Sequence, residues 1–240
     1  MALNTLFPRQ KELVNYDYFD IAEGVGITVY YGVAGDNGEY FVTPSSTIGS
    51  EALVTQINSA TLTSDPVKRF DLDFDLTFNR PKNIKGSIFA NIPLGVHTQN
   101  STAKTINYYT IVKAIHFDGS TETIMATGQS KTVLTANLSS GAHQYDSELL
   151  LCHCDVTAKQ HFKIGDILRF TVEGWFEYAT GSGTLFLYMG HDPLNRRYMA
   201  GFYGGAGNDD IQFANETLAD GTVTAQRTQM VFHVPFQLDV

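Results

Sequence analysis

The sequence predicts an all-β protein: one antiparallel β-sandwich, jelly-roll-like, with an extended amino-terminal arm. Two observations carry that expectation. Phe70-Asp71-Leu72-Asp73-Phe74-Asp75-Leu76-Thr77-Phe78 puts a large apolar residue at every second position and a polar one between, the period of a strand with one buried and one wet face. Similar segments recur at short intervals, separated by turn residues and without helical patterns. That layout indicates a sandwich or barrel rather than a βαβ fold.

Residues 1–16 form the arm. They hold Leu3, Leu6, Phe7, Leu13 and Val14, with Pro8 among them, and so apolar a segment is expected to wrap its own sandwich or reach a neighbouring subunit. Residues 10–15 offer at most two turns of helix. Residues 17–240 are expected to form one sandwich, with two small ones left open by the length. Strands are expected at 27–33, ending at Gly35-Asp36-Asn37-Gly38, and at 39–43, stopping before Pro44. Residues 67–69 read as a helical fragment too short to matter, followed by the 70–78 strand. The next strand, 86–92, stops before Pro93. Strands 106–117 and 121–127 flank Asp118-Gly119, a tight-turn pair. Strands 148–156, 167–179, 184–189 and 229–238 complete the set, the Gly181-Ser182-Gly183 turn joining the middle two. Residues 200–224, rich in Gly, Asn and Asp, are expected as a long surface excursion.

Composition narrows the partners. The 240 residues carry a formal net charge of −9, and only 17% are charged. Lys82-Asn83-Ile84-Lys85 and Arg196-Arg197 are too short to follow a phosphate backbone, so direct nucleic-acid binding is not expected. No apolar run approaches the roughly 18–20 residues of a membrane span, and residues 1–9 lack the basic and apolar regions of a signal peptide. The chain is expected to be made in a cytoplasm and to involve no membrane. Cys152 and Cys154 flank His153 on one strand face. Zinc would need two further ligands, so both are read as small buried apolar residues.

Chemistry is sparse. The seven histidines form no H-x-H or H-E-x-x-H pattern, and His116 and His233 read as ordinary strand residues. His191-Asp192-Pro193-Leu194-Asn195-Arg196 is the most distinctive cluster. It admits a His–Asp dyad, or an oxygen-rich cation site with Asp209 and Asp210. The structural reading is preferred: Asp-Pro starts a turn, Asn195 tolerates unusual backbone angles and Arg196 ties the loop. Asp71, Asp73 and Asp75 share one strand face. Calcium, a neighbouring Lys or Arg, or solvent would each relieve their repulsion, and solvation on an edge strand is expected. There is no G-x-S-x-G, and Gly201-Phe202-Tyr203-Gly204-Gly205 lacks the Lys and helix of a phosphate loop. No cofactor, metal or catalytic activity is expected.

Three stretches carry a resemblance. They are Phe162-Lys163-Ile164-Gly165-Asp166-Ile167-Leu168-Arg169-Phe170-Thr171-Val172-Glu173-Gly174-Trp175, then Gly190-His191-Asp192-Pro193, and the closing Met230-Val231-Phe232-His233-Val234-Pro235-Phe236-Gln237-Leu238-Asp239-Val240. With the early Tyr30-Tyr31-Gly32 they resemble the β-sandwich structural proteins of tailed-phage and environmental-virus particles, which decorate or cement a capsid. The resemblance spans residues 16–240. It implies a virion subunit on an icosahedral shell, commonly a homotrimer, with the major capsid protein as partner and no catalytic motif.

The leading expectation is therefore a non-enzymatic capsid decoration or cement protein of a bacteriophage. A carbohydrate- or receptor-binding module on a phage head or tail is the alternative, with Tyr108, Tyr109, Trp175, Tyr178 and Tyr203 as stacking faces. Trp175, beside Gly174 in an alternating strand, reads rather as core or interface. A jelly-roll hydrolase and a major capsid protein rank lower.

Overall fold

The computed structural model describes residues 25–60, 62, 64–98, 105–134, 144–180, 185–196, 199–200, 211–212, 216–217, 223–224 and 228–237. The arm, with Leu3, Leu6, Phe7, Pro8, Leu13 and Val14, lies outside them, as do Tyr203, Asp209 and Asp210.

Every regular element among the described residues is a strand. The eight principal ones are β1 (Val25–Ala34), β4 (Val67–Thr77), β5 (Lys82–Thr98), β6 (Thr105–Phe117), β7 (Glu122–Gln129), β9 (Gln144–Phe162), β10 (Ile167–Thr180) and β16 (Val231–Gln237). Shorter ones are β2 (Tyr40–Thr43), β3 (Val54–Ala60), β8 (Val133–Leu134) and β11 (Leu185–Gly190). β12 (Met199–Ala200) pairs with β13 (Ile211–Gln212), and β14 (Glu216–Thr217) with β15 (Val223–Thr224).

Two four-stranded antiparallel layers emerge, β1-β16-β5-β9 and β4-β10-β6-β7. Numbered along the chain, the principal strands take the orders first-eighth-third-sixth and second-seventh-fourth-fifth. That is the interleaved double Greek key of a jelly roll. β2 joins the layers at one side, antiparallel to β1 and parallel to β4. The inner faces meet in an aromatic core. Phe170 of β10 stacks on Phe232 of β16 at 4.3 Å between ring centroids, and Phe74 of β4 packs on the same ring.

The alternation at 70–78 works as expected: Phe70, Phe74 and Phe78 are buried, while Asp71 and Asp73 are exposed. Residues 67–69 belong to this strand and not to a helix. The Asp118 carboxylate closes the β6–β7 turn, accepting from the Thr121 and Ser120 backbone N–H groups and the Ser120 hydroxyl. Those bonds lower its pKa to about 2. Gly119 supplies the positive φ of 93° that the turn requires.

Two expectations need correction. β5 does not stop at Pro93 but runs on to Thr98. Pro93 stands where one edge of β5 changes partner, between Asn91, paired with Val231 of β16, and Leu94, paired with Met189 of β11. A seam between two partner strands is where a missing N–H disturbs a ladder least. β4 is not an edge strand either, since β10 and β2 flank it, so the aspartates are not simply solvated. Arg169 of β10 grips Asp75 through Nε and Nη2 at 2.7 and 2.8 Å and reaches Glu122 with Nη1. Thr171 donates to Asp73, and Lys68 pairs with Asp71.

Candidate functional site

The His191 segment leaves β11 at Gly190, and Asn195 N–H closes a turn onto the Asp192 carbonyl at 2.9 Å, with Asn195 at φ 53°. His191, Asp192 and Pro193 are buried, whereas Arg196 is exposed. Arg196 binds the Asp192 carboxylate through Nε, Nη2 and its backbone N–H, at 3.1, 3.0 and 2.7 Å. It also donates to the Ser50 carbonyl. The His191 ring lies between Thr55, 2.9 Å from Nε2, and Ser50, 3.5 Å from Nδ1, with Tyr40 bonded to Thr55 behind it. Tyr40 and Phe74 pack edge-on and tilted against the imidazole. Burial pushes the pKa of His191 down to about 4.

Serine, histidine and aspartate thus converge, but their bonds run the wrong way for catalysis. The Asp192 carboxylate is taken by Arg196 and Ser50 N–H rather than orienting the imidazole. The Ser50 hydroxyl accepts from Ala34 N–H at 2.7 Å and faces its carbonyl. A nucleophile would need an open approach and a base held by the acid; here all three side chains are enclosed. Asn195 and Arg196 also hold Thr228, and Pro193 accepts from Gln229. What the cluster does is latch the end of β1, the start of β3 and the approach to β16.

The two thiols face the core. Sγ of Cys152 donates to the Thr110 carbonyl at 3.5 Å and that of Cys154 to the Val112 carbonyl at 3.4 Å, both on β6 of the opposite layer. Burial, with the neighbouring thiol second, raises Cys152 to about 12, and burial raises Cys154 to about 11. Neither is poised as a nucleophile or metal ligand. Among the described residues, no group of three or more His, Cys, Asp or Glu is placed to hold a metal.

The outer faces of the two layers differ sharply. That of β4-β10-β6-β7 is mainly polar and internally paired, although Ile124 of β7, opposite Ile115, is 57% exposed on it. Glu173 lies at its centre, only 3% exposed, beneath Lys113 (2.6 Å), Trp175 Nε1 (2.9 Å) and Lys68 (3.4 Å). Burial alone would raise its pKa, but these donors and both ammonium charges outweigh that and lower it. Trp175 sits on this outer face and not in the core, half-buried and parallel to Tyr109 at 6.1 Å. Tyr108 and Tyr178 are buried and cannot serve as stacking faces.

The outer face of β1-β16-β5-β9 is apolar. In register across the four strands run Val29, His233, Phe89 and His153, and beside them Tyr31, Val231, Asn91 and Leu151. Leu149 lies beyond Leu151 on β9, opposite Pro93, which is buried. Ile27, Phe89, Leu149 and Leu151 are 44%, 40%, 40% and 54% exposed, and His153 stacks on Phe89 at 5.0 Å. Burial lowers the pKa of His233, so it favours the neutral form here. The apolar part of this face, around Phe89, Leu149 and Leu151, is a patch of the size that on monomeric proteins often serves for binding. This face is absent from the expectations drawn from sequence. The signal was there in Leu149-Leu150-Leu151, where an unbroken apolar run in a strand makes both faces apolar.

No family model matches the chain, and no curated protein matches it. Solved structures do. One is a CocE/NonD family hydrolase from Staphylococcus aureus, with 14% identity and a TM-score of 0.39, covering 89% of this chain and 37% of that one. Another is the structure of infectious bursal disease virus Gx strain, with 14% identity and a TM-score of 0.27, covering 86% of this chain and 46% of that one. The chain spans less than half the length of either. Likeness at this level carries no argument for one function over the other.

Proposed function

We propose that the chain is a non-enzymatic structural subunit of a virion, a decoration or cement protein on the outer surface of an icosahedral phage capsid. It assembles as a homotrimer and contacts the major capsid protein. The observation that carries this reading is the exposed, largely apolar face of β1-β16-β5-β9 on a jelly-roll sandwich whose clusters around His191 and Glu173 are committed to internal bonds. Jelly rolls occur in capsid, lectin and cupin proteins, so the fold alone does not choose. An apolar face with few charges matches the core of a subunit contact, and many copies on one shell make modest single contacts sufficient.

The test uses particles of the virus that carries this sequence. The chain should be found in purified virions, in density at symmetry-related positions on the capsid exterior. Purified L151D should rebind stripped capsids at least tenfold more weakly than the wild type while keeping its circular dichroism spectrum. Absence from purified particles would overturn the proposal. A second reading, a carbohydrate-binding module, rests on the parallel Trp175–Tyr109 pair on the opposite face. A glycan array that showed binding lost in W175A would favour it.

A further inference from the structure

We infer that the outer face of the β1-β16-β5-β9 sheet receives the apolar arm, residues 1–16, of a second copy of this chain. The inference rests on the reading of the chain as an assembling subunit, but not on a virion as the place of assembly.

The chemistry of face and arm agrees. Around Phe89 and Leu151 the face carries no charged side chain, and charge begins only at its rim, with Asp155 beside Ser87 and with Lys85. The arm brings five large apolar side chains within twelve residues, Leu3 to Val14. Its attachment point also fits. The arm joins the described chain at Val25, paired with Gln237, two residues before Ile27 on the rim of this same face.

Reach allows exchange between copies. Residues 15–24 span up to about 33 Å when extended. The face is roughly 15 Å across four strands at about 4.8 Å spacing. The apolar part of the arm can therefore pass beyond its own sandwich. A patch of that size offers on the order of 300–400 Å², too little for the roughly 800 Å² that each globular partner buries in a standard contact and suited instead to a short segment of chain. An arm folded over its own face would instead bury the surface that assembly needs.

Cysteine cross-linking of the full-length protein tests this. Cys152 and Cys154 are buried, so introduced thiols dominate the reaction. L6C and L151C, co-expressed and mildly oxidised, should yield a covalent dimer joining positions 6 and 151. The yield should exceed by at least tenfold that of L6C with T127C, whose cysteine lies on the opposite layer. Deleting residues 1–16 should convert the oligomer to monomer in sedimentation without changing the circular dichroism spectrum. Equal cross-linking to position 127, a purely intrachain link in the L6C/L151C double variant, or an intact oligomer after arm deletion would each overturn the inference. If the chain occupies capsids but positions 6 and 151 do not link, this inference fails and the virion reading stands. If they link in solution but the chain is missing from particles, the reverse holds.

Discussion

His191 stays neutral because it is enclosed, and that makes it an acid sensor of the fold. Its pKa, about 4 when folded against an ordinary 6.5, means that between these values the unfolded chain binds a proton the folded chain refuses. Its stabilising contribution is complete above pH 6.5 and is lost as pH falls towards 4, a change of roughly 3 kcal/mol. Denaturant titrations at pH 7, 6, 5 and 4 should show that slope. H191Q, which keeps a polar group near Thr55 but does not titrate, should flatten it by a similar amount; an unchanged slope in H191Q would refute the assignment. The arginine that secures the adjoining Asp192 was readable as a loop tie from Asp-Pro and Arg196 in the sequence. Ser50 and Thr55 were not. They lie 141 and 136 residues away along the chain, and no local pattern announces contacts that distant.

Where strands cross between layers, backbone proximity sets the tolerance. A Cβ built at Gly128 of β7 would overlap the His153 carbonyl of β9 and sit 2.9 Å from Cys154 Sγ. Gly128 thus lets β7 and β9, which no ladder joins, approach each other. G128A is expected to cost about 3 kcal/mol, the upper range for overpacking a core, measured as a drop in unfolding free energy; a loss below about 1 kcal/mol would show that β7 and β9 part freely. Gly174 acts similarly in β10, where an added Cβ would come within 2.8 Å of Phe70 beside a register shift. The eight principal strands, with β2 and β11, were legible because alternation depends only on neighbours in sequence; β3 was not, since Val54 and Ile57 are its only large apolar residues. Other errors came at ends and edges. Pro93 looked like a terminator because the sequence does not show that β5 changes partner there, and the Asp71–Asp75 ladder looked like an edge because Arg169 lies 94 residues beyond Asp75.

One hydrogen-bonded network of twelve strands joins both layers, so unfolding should be a single cooperative transition, seen alike by far-UV dichroism and Trp175 fluorescence. If the apolar face is covered by another copy, mass action adds a concentration dependence. The thermal midpoint should rise with protein concentration in the wild type and not in F89D. A midpoint independent of concentration over a hundredfold range would remove the assembly reading.

From sequence alone came the all-β class, the sandwich, the principal strands and the buried thiols. Each depends on local period, turn chemistry or composition, which the order of residues contains directly. The tertiary structure alone decided the interleaved strand order, the latch around His191, the pairing of the aspartates and, above all, that one outer face is largely apolar while the other is mainly polar and internally bonded. Those facts depend on which strands become neighbours, and β1, β16, β5 and β9 assemble their common face from residues more than two hundred positions apart. Period two shows that a strand has two faces; only packing shows which of them the core covers.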